Sequence, residues 1–323
     1  MSSYKTAESV SPKHPDKLCD RISDAILDAY LQIDPQARVA VEAVGGHGEL
    51  FVVGEVTAKG KVNIEPIVKR IAGDVKFSHN FVHQSPEIAA GVAGGGAGDQ
   101  GIMVGYATAE TPQLMPLEVM LARDLNRHLY QTWPYDGKTQ ITLKDGRIES
   151  IVASFQNAPS DKLSAQVYAW LKHQDIKVKS KGITQLYSNP AGEWRQGGFD
   201  ADSGLTGRKL VIDNYGPQIA IGGGAFSGKD ASKVDRSAAY MARRIAVDCL
   251  RKNKAKEVYC YLAYAIGVAE PVEATLRIDG KYQDVKGYDL TPNGIIEFLD
   301  LRQPQFEATA SYGHFGNGFN WDN

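Results

Sequence analysis

Cysteine is scarce in this chain: 323 residues hold three, Cys19, Cys249 and Cys260, with no CxxC spacing and no even set. That excludes a disulfide framework, and buried free thiols in a reducing compartment are expected. An excess of charge of one sign is also missing. Lys and Arg number 36 against 38 Asp and Glu, a net charge of −2. No general nucleic-acid coat or polybasic membrane tether follows from that balance, so any anion site must be a local concentration of Lys and Arg. Long apolar runs are absent as well. Met1 to Val10 carries Lys5 and Glu8 and lacks the apolar core of a secretory signal. The longest charge-free apolar run, Val258 to Ala269, falls far short of the roughly 18 residues of a membrane span and reads as a buried strand. A soluble, cytoplasmic protein with no nucleic-acid or membrane partner is the expectation.

What is present is ordinary globular composition, 43% hydrophobic and 23% charged, over about two domain-lengths of some 150 residues each. A weak internal repeat organises it. Pro15 opens a helix carrying Leu18, Ile22, Ala25, Ile26 and Ala29 at helical period, through about Leu31. Arg38 to Val44 and Leu50 to Val56 form an extended pair across Gly45-Gly46-His47-Gly48, and a short helix follows near Ile64 to Ile71. The order returns: a helix from Pro116 with Leu117, Leu121, Leu125 and Leu129, a hairpin of Thr139 to Leu143 and Arg147 to Phe155 across Asp145-Gly146, and a helix capped by Ser160. It returns again with a helix over Ser232 to Arg251, extended Val258 to Ala269 and Val272 to Ile278, and a helix capped by Thr291-Pro292 through Leu301. Helix, strand pair, helix, three times over, predicts an α+β chain with antiparallel sheets rather than a wound βαβ fold.

Two stretches break this plan, Ala89 to Gly101 and Thr184 to Lys209. Their glycine density suits either a flexible connection or backbone approaching a ligand. Gly222 to Asp235 (GGGAFSGKDASKVD) runs into the third long helix, where a glycine-rich turn at a helix N-terminus would offer free N–H groups to phosphate. Lys229 and Lys233 would share one face of that helix start. Gly223 to Lys229 satisfies GxxxxGK, but Asp230 stands where a P-loop needs Ser or Thr for magnesium. Gly207-Arg208-Lys209 precedes the apolar Leu210-Val211-Ile212, which suggests a strand edge with charge at its mouth. Asp136-Gly137-Lys138 starts the second hairpin. In His14-Pro15-Asp16-Lys17, His14 could donate to phosphate. Asp16, Asp20, Asp24 and Asp28 form a four-residue stripe that reads as a solvated face, with only Asp16 placed to hold a metal. The cations Lys138, Arg208, Lys209, Lys229 and Lys233, with the carboxylates Asp16 and Asp235, make a hard-cation site in a basic cluster, suited to a nucleoside triphosphate with magnesium.

These residues resemble the S-adenosylmethionine synthetase (methionine adenosyltransferase) family in collinear order over nearly the whole chain. The motifs are Glu8 to Ser11 with His14 to Lys17, Gly96 to Gly101 (GAGDQG), Asp136 to Lys138, Ser203 to Lys209, Gly222 to Tyr240, Tyr264 to Pro271 and Tyr312 to Gly316. The resemblance implies three αβ domains related by pseudo-three-fold symmetry with mixed or antiparallel sheets: residues 1–83, a gating loop at 84–98, then 99–196 and 197–323, with strands exchanged between domains. It implies that methionine sulfur attacks C5′ of ATP, displacing tripolyphosphate that is then hydrolysed to phosphate and pyrophosphate. It places His14, Lys138, Arg208, Lys209 and Lys229 around the triphosphate, with Asp136 among the ligand-binding residues. Two magnesium ions per site fall to Asp16 and Asp235, and a potassium ion to Glu42. Asp202 meets the ribose, Ala225 lies against the nucleotide, Trp194 stacks on adenine and Ile266 packs near it. Glu55, Gln84, Asp99 and Lys233 define the methionine end. It further implies a homodimer, or a homotetramer, with active sites between subunits, such that first-helix residues and the lysine cluster come from different chains.

The chain departs from the family by being shorter, with a brief segment between Ile71 and Gln84 and an Ala/Gly-rich gate. A smaller gate predicts acceptance of thioethers larger than methionine. Glu193 stands where the family usually has a basic residue. Two other classes remain open on residues alone: an ATP-dependent kinase, which would need an acceptor hydroxyl and a base, and a non-catalytic ATP-binding subunit, which the retention of Lys138, Lys229 and Asp235 disfavours.

Overall fold

The computed structural model describes residues 3–84, 94–173 and 185–323. The first helix, α1, spans Pro15–Ile33. Proline suits its first position because that N–H has no helical acceptor. Ile22, Ile26 and Leu27 are fully buried. They belong to a core shared with strands β2 (Arg38–Gly46) and β3 (Glu49–Thr57), which close through His47 and Gly48, both at positive φ. After α2 (Glu65–Ala72), strand β4 (Lys76–Val82) runs parallel to β3, an element the sequence pattern does not announce.

The middle of the chain supplies α3 (Leu117–Thr132), strands β6 (Gly137–Lys144) and β7 (Arg147–Phe155), α4 (Ser160–Lys172) and the short strand β8 (Gln185–Ser188). The last part supplies α5 (Leu210–Asp213), α6 (Val234–Asn253), strands β10 (Glu257–Tyr264), β11 (Glu273–Ile278) and β12 (Lys281–Asp284), α7 (Pro292–Phe298) and α8 (Phe306–Thr309). The run to Ala269 is not one strand: β10 ends at Tyr264, and the chain turns at Gly267, whose φ is +77°.

With β1 (Tyr4–Val10), β5 (Gly101–Thr108) and β9 (Gly204–Leu205), three four-stranded sheets result, ordered β4–β3–β2–β9, β1–β6–β7–β8 and β12–β11–β10–β5. Their edge strands are exchanged in a cycle. Strand β1 pairs with β6, β5 with β10, and β9 with β2. Each third of the chain therefore gives one edge strand to the sheet of the next. This stitches the three parts together through long-range backbone hydrogen bonds. Consistent with that, a single large core runs from α1 through α6, and a smaller one lies beneath α3 and α4. The architecture is α+β in three parts with mixed and antiparallel sheets. Among the described residues, no helix is long and apolar enough to cross a membrane. Cys19 and Cys260 are buried and Cys249 is half-buried, all as free thiols.

Candidate active site

The contacts sort the candidate residues into two groups that adjoin. The first gathers on the start of α1. His14 caps the helix, its Nδ1 accepting the Asp16 N–H at 3.2 Å. Burial, then the charges of Lys138 and Lys209, lower its pKa to about 3, so the ring is neutral. With Nδ1 used as an acceptor, the ring proton sits on Nε2, which is left as a donor. Asp16 is buried, accepts the Leu205 N–H at 2.9 Å and binds the Lys209 ammonium, with Arg208 Nε 3.5 Å away. Burial alone would raise this carboxyl, but Lys209 and the Leu205 N–H outweigh it and hold its pKa below the usual range.

Asp136 lies where β6 begins and accepts the Gly198 N–H at 3.1 Å through Oδ2, while its buried Oδ1 has no hydrogen-bond partner among the described residues. Burial raises its pKa. Lys138, on β6, is exposed, as is Asp202, whose carboxylate accepts the Ser203 N–H at 2.8 Å. The Trp194 ring stands where a side chain at Gly197 would go, beside Gln156, whose Oε1 accepts the Asp136 N–H at 3.3 Å. Trp194 Nε1 donates to Asn189 Oδ1 at 3.3 Å, which leaves the half-buried ring held at its edge.

The segment after Lys209 is not a strand edge. Gly207, at φ +79°, turns the chain, and Asp213 N–H bonds back to Lys209 O at 2.9 Å to close the short helix α5. Arg208 and Lys209 thus point at Asp16 within one chain. The expected division of first helix and lysine cluster between chains does not hold for these two.

The second group occupies Gly222 to Asp235. Here the glycines do not form the N-terminus of α6: that helix begins at Val234 with Lys233 as its cap. Lys229 lies earlier, in a β-bridge with Ala40, and so shares no helix face with Lys233. Its ammonium meets Asp235 Oδ2 at 2.6 Å, and Lys233 binds Asp230. A side chain at Gly224 would collide with the Asp235 carboxylate, so glycine there lets that carboxylate pack against the loop backbone. Ala225 adjoins Gly207, bringing the two groups together. Glu55, half-buried on β3, and Lys229 flank Ala40 from the two sides of β2.

Other expected residues are less engaged. Gln84 Oε1 lies 3.4 Å from Arg38 Nη1. Asp99 and Ile266 are exposed, and Glu42 is exposed on β2. Of the gating loop 84–98, residues 85–93 lie outside the described residues. Glu193 is occupied elsewhere: its Oε1 accepts the Ser160 N–H at 2.9 Å, so it serves the start of α4, where Pro159 rather than Ser160 holds the cap position.

The aspartate stripe of α1 is not a solvated face. Asp16, Asp20 and Asp24 are buried, and each accepts a loop N–H, as does the part-buried Asp28. Lys17 is buried between Asp20 at 2.9 Å and Asp213 at 2.6 Å. Burial favours its neutral form, but the two carboxylates prevail and keep it charged. The available signal for these residues was their strict spacing on a helix that also carries apolar residues on its other positions.

Sequence models of three domains of S-adenosylmethionine synthetase match in order: the N-terminal domain over residues 2–93, the central domain over 94–194 and the C-terminal domain over 196–323. An S-adenosylmethionine synthase of Treponema denticola is 40% identical over an alignment of 373 residues that takes in 99% of this chain and 95% of the relative. That alignment is longer than the chain itself, so the relative carries segments that this chain lacks. The chain belongs to the S-adenosylmethionine synthetase family, the methionine adenosyltransferases.

Proposed function

We propose that this chain forms S-adenosylmethionine from ATP and L-methionine by attack of the thioether sulfur on C5′ of the ribose, and then hydrolyses the displaced tripolyphosphate to phosphate and pyrophosphate. The observation that carries the reading is the convergence of Arg208 and Lys209 on Asp16, whose N–H is capped by His14 Nδ1, next to a loop presenting Lys229 and Asp235. A thioether has no proton to lose, so the reaction needs no general base. The barrier lies in aligning sulfur with C5′ and in stabilising charge on the leaving chain, which fixed cations in a shaped site supply without reorganisation.

In this reading His14 donates through Nε2 to the polyphosphate, flanked by Lys138, Arg208, Lys209 and Lys229. Trp194 stacks on adenine, with Ile266 and Ala225 beside the nucleotide and Asp136 and Asp202 at its polar edge. The half-buried Glu55, with Gln84, Asp99 and Lys233, forms the methionine end. The residues also fit magnesium. Asp16 and Asp235 are hard-oxygen donors, one in each group, each already facing a lysine ammonium. Magnesium there would neutralise the polyphosphate and its developing charge. Among the described residues no three metal-ligating side chains cluster, so further donors would be water, substrate oxygens or groups of a second copy. Glu42, exposed on its sheet, would meet potassium under the same condition.

A homodimer is part of the proposal. Val44, Phe51, Val53 and Leu205 are each about 40% exposed on the face of the β4–β3–β2–β9 sheet that turns away from α1. An apolar face of this kind is covered when two sheets pack. The division into units 1–83, 99–196 and 197–323 is retained as part of the same reading.

Incubation of the protein with ATP, methionine, magnesium and potassium, with mass detection of products, tests it. The sulfonium product with phosphate and pyrophosphate is expected. ADP without a sulfonium product would replace this reading by the kinase.

A further inference from the structure

The four aspartates of α1 are spaced one turn apart, and together they take backbone N–H groups from three loops distant in sequence. Asp16 takes that of Leu205 and Asp28 those of Gln305, Phe306 and Glu307. The middle two act directly before the cations. Asp20 Oδ1 accepts the Gly207 N–H at 2.8 Å, and the next residues are Arg208 and Lys209. Asp24 Oδ1 accepts the Gly228 N–H at 2.8 Å, and the next residue is Lys229. Both glycines have positive φ, +79° and +81°. A side chain at Gly207 would meet Ala225 Cβ at 2.6 Å, and one at Gly228 would strike the Val41 carbonyl. Each loop is therefore wedged by its neighbours and tied by a charge-assisted hydrogen bond, the stronger kind.

We propose that Asp20 and Asp24 are positioning residues, which use the rise of α1 to set the spacing between the Arg208–Lys209 loop and the Lys229 loop. The inference rests on the reading that these cations grip the polyphosphate. Four helical residues rise roughly 6 Å, so the two loops are registered one turn apart on a rigid rod. The carboxylates are held in turn. Asp24 is paired with Arg236 at 2.7 and 3.0 Å, and Asp20 lies 2.9 Å from Lys17, which also holds Asp213. Neither aspartate touches a cation of the cradle. Their effect passes through two backbone amides.

Asp20 is the better position for a test, because its loss leaves no unpaired cation: Lys17 keeps Asp213. Asp20→Asn retains an oxygen that accepts from Gly207, whereas Asp20→Ala removes the acceptor. Initial rates of sulfonium formation are measured per folded molecule, together with binding of inorganic tripolyphosphate. Asp20→Ala is expected to lower kcat on the order of a hundredfold, the effect of roughly 1 Å of misplacement, with the KM for methionine little changed. Asp20→Asn is expected to recover most of that loss. Wild-type kcat in Asp20→Ala, or equal losses in both variants, overturns the inference. If Asp20→Ala does not fold, Asp20→Glu moves the carboxylate by one methylene: a lowered kcat in the folded variant supports the proposal and an unchanged one overturns it. A wild-type protein that makes no sulfonium product fails the functional reading alone. In that event weaker tripolyphosphate binding by Asp20→Ala than by Asp20→Asn still supports the positioning role, and equal binding overturns it.

Discussion

Lys229 is ion-paired with Asp235 at 2.6 Å and remains partly open to solvent. It carries little of the fold, so its loss should register on the reaction. Lys229→Met is expected to slow S-adenosylmethionine formation about a hundred- to a thousand-fold, the usual effect of deleting one electrostatic contact to a developing charge. Its thermal midpoint should stay close to wild type. Retained turnover would sink the assignment of this lysine. His314 is the opposite case. It is fully buried, hydrogen-bonded to the Tyr240 hydroxyl at 2.7 Å and kept neutral by burial and by the charges of Arg236, Lys17 and Arg123. The unfolded chain would take up that proton near pH 6.5. Below about pH 6.5 the unfolded state thus binds more protons, and stability falls as pH falls, by up to about 1.4 kcal/mol per pH unit for one proton. Asp20 and Asp28, raised by burial to about 6, act in the other sense, because the folded state holds their protons longer. The readout is therefore the difference in slope. Between pH 7.5 and 5.5, His314→Gln is expected to lose less stability per pH unit in urea titrations than wild type. Identical slopes would exclude a neutral buried imidazole.

At the scale of elements, close contact of helix and sheet depends on single glycines. Gly105 on β5 faces the backbone of α6, and a side chain there would run into the Ala242 carbonyl. Gly105→Ala should therefore destabilise by about 3 kcal/mol through overpacking, visible as a lower urea midpoint. Gly146→Ala, in an open turn, should show only the smaller strain of its positive φ. Periodicity found the helices and hairpins well, because Ile22, Ile26, Leu121 and Leu125 recur at the helical period and Asp145-Gly146 is strong turn chemistry. It missed β4, whose parallel pairing leaves no hairpin signal, and it extended β10 beyond Tyr264. The aspartate stripe was misread for a related reason. Spacing shows that four carboxylates share a face, but not that loops some 180 residues and more away in sequence will bring their N–H groups to it.

Across the whole molecule, the cyclic exchange of β1, β5 and β9 makes each sheet depend on a strand from another part of the chain. Unfolding should then be cooperative across all three parts. The exposed apolar face of Val44, Phe51, Val53 and Leu205 is where the molecule meets its copy in the proposed dimer. Phe51→Arg combined with Val53→Glu should yield a folded monomer by sedimentation, with S-adenosylmethionine formation reduced at least a hundredfold. A dimer of unchanged mass would place the interface elsewhere.

The sequence by itself determined the family, the α+β plan and the residue types of the proposed polyphosphate cradle, because glycine turns, adjacent cations and helical periodicity are local features written in short segments. Only the tertiary structure decided which strands complete which sheet, that Arg208 and Lys209 close on Asp16 while Lys229 closes on Asp235, and that buried aspartates hold the loops between them. Those arrangements join residues far apart in sequence. They follow from the packing of α1 between loops and from the need of every buried N–H for an acceptor.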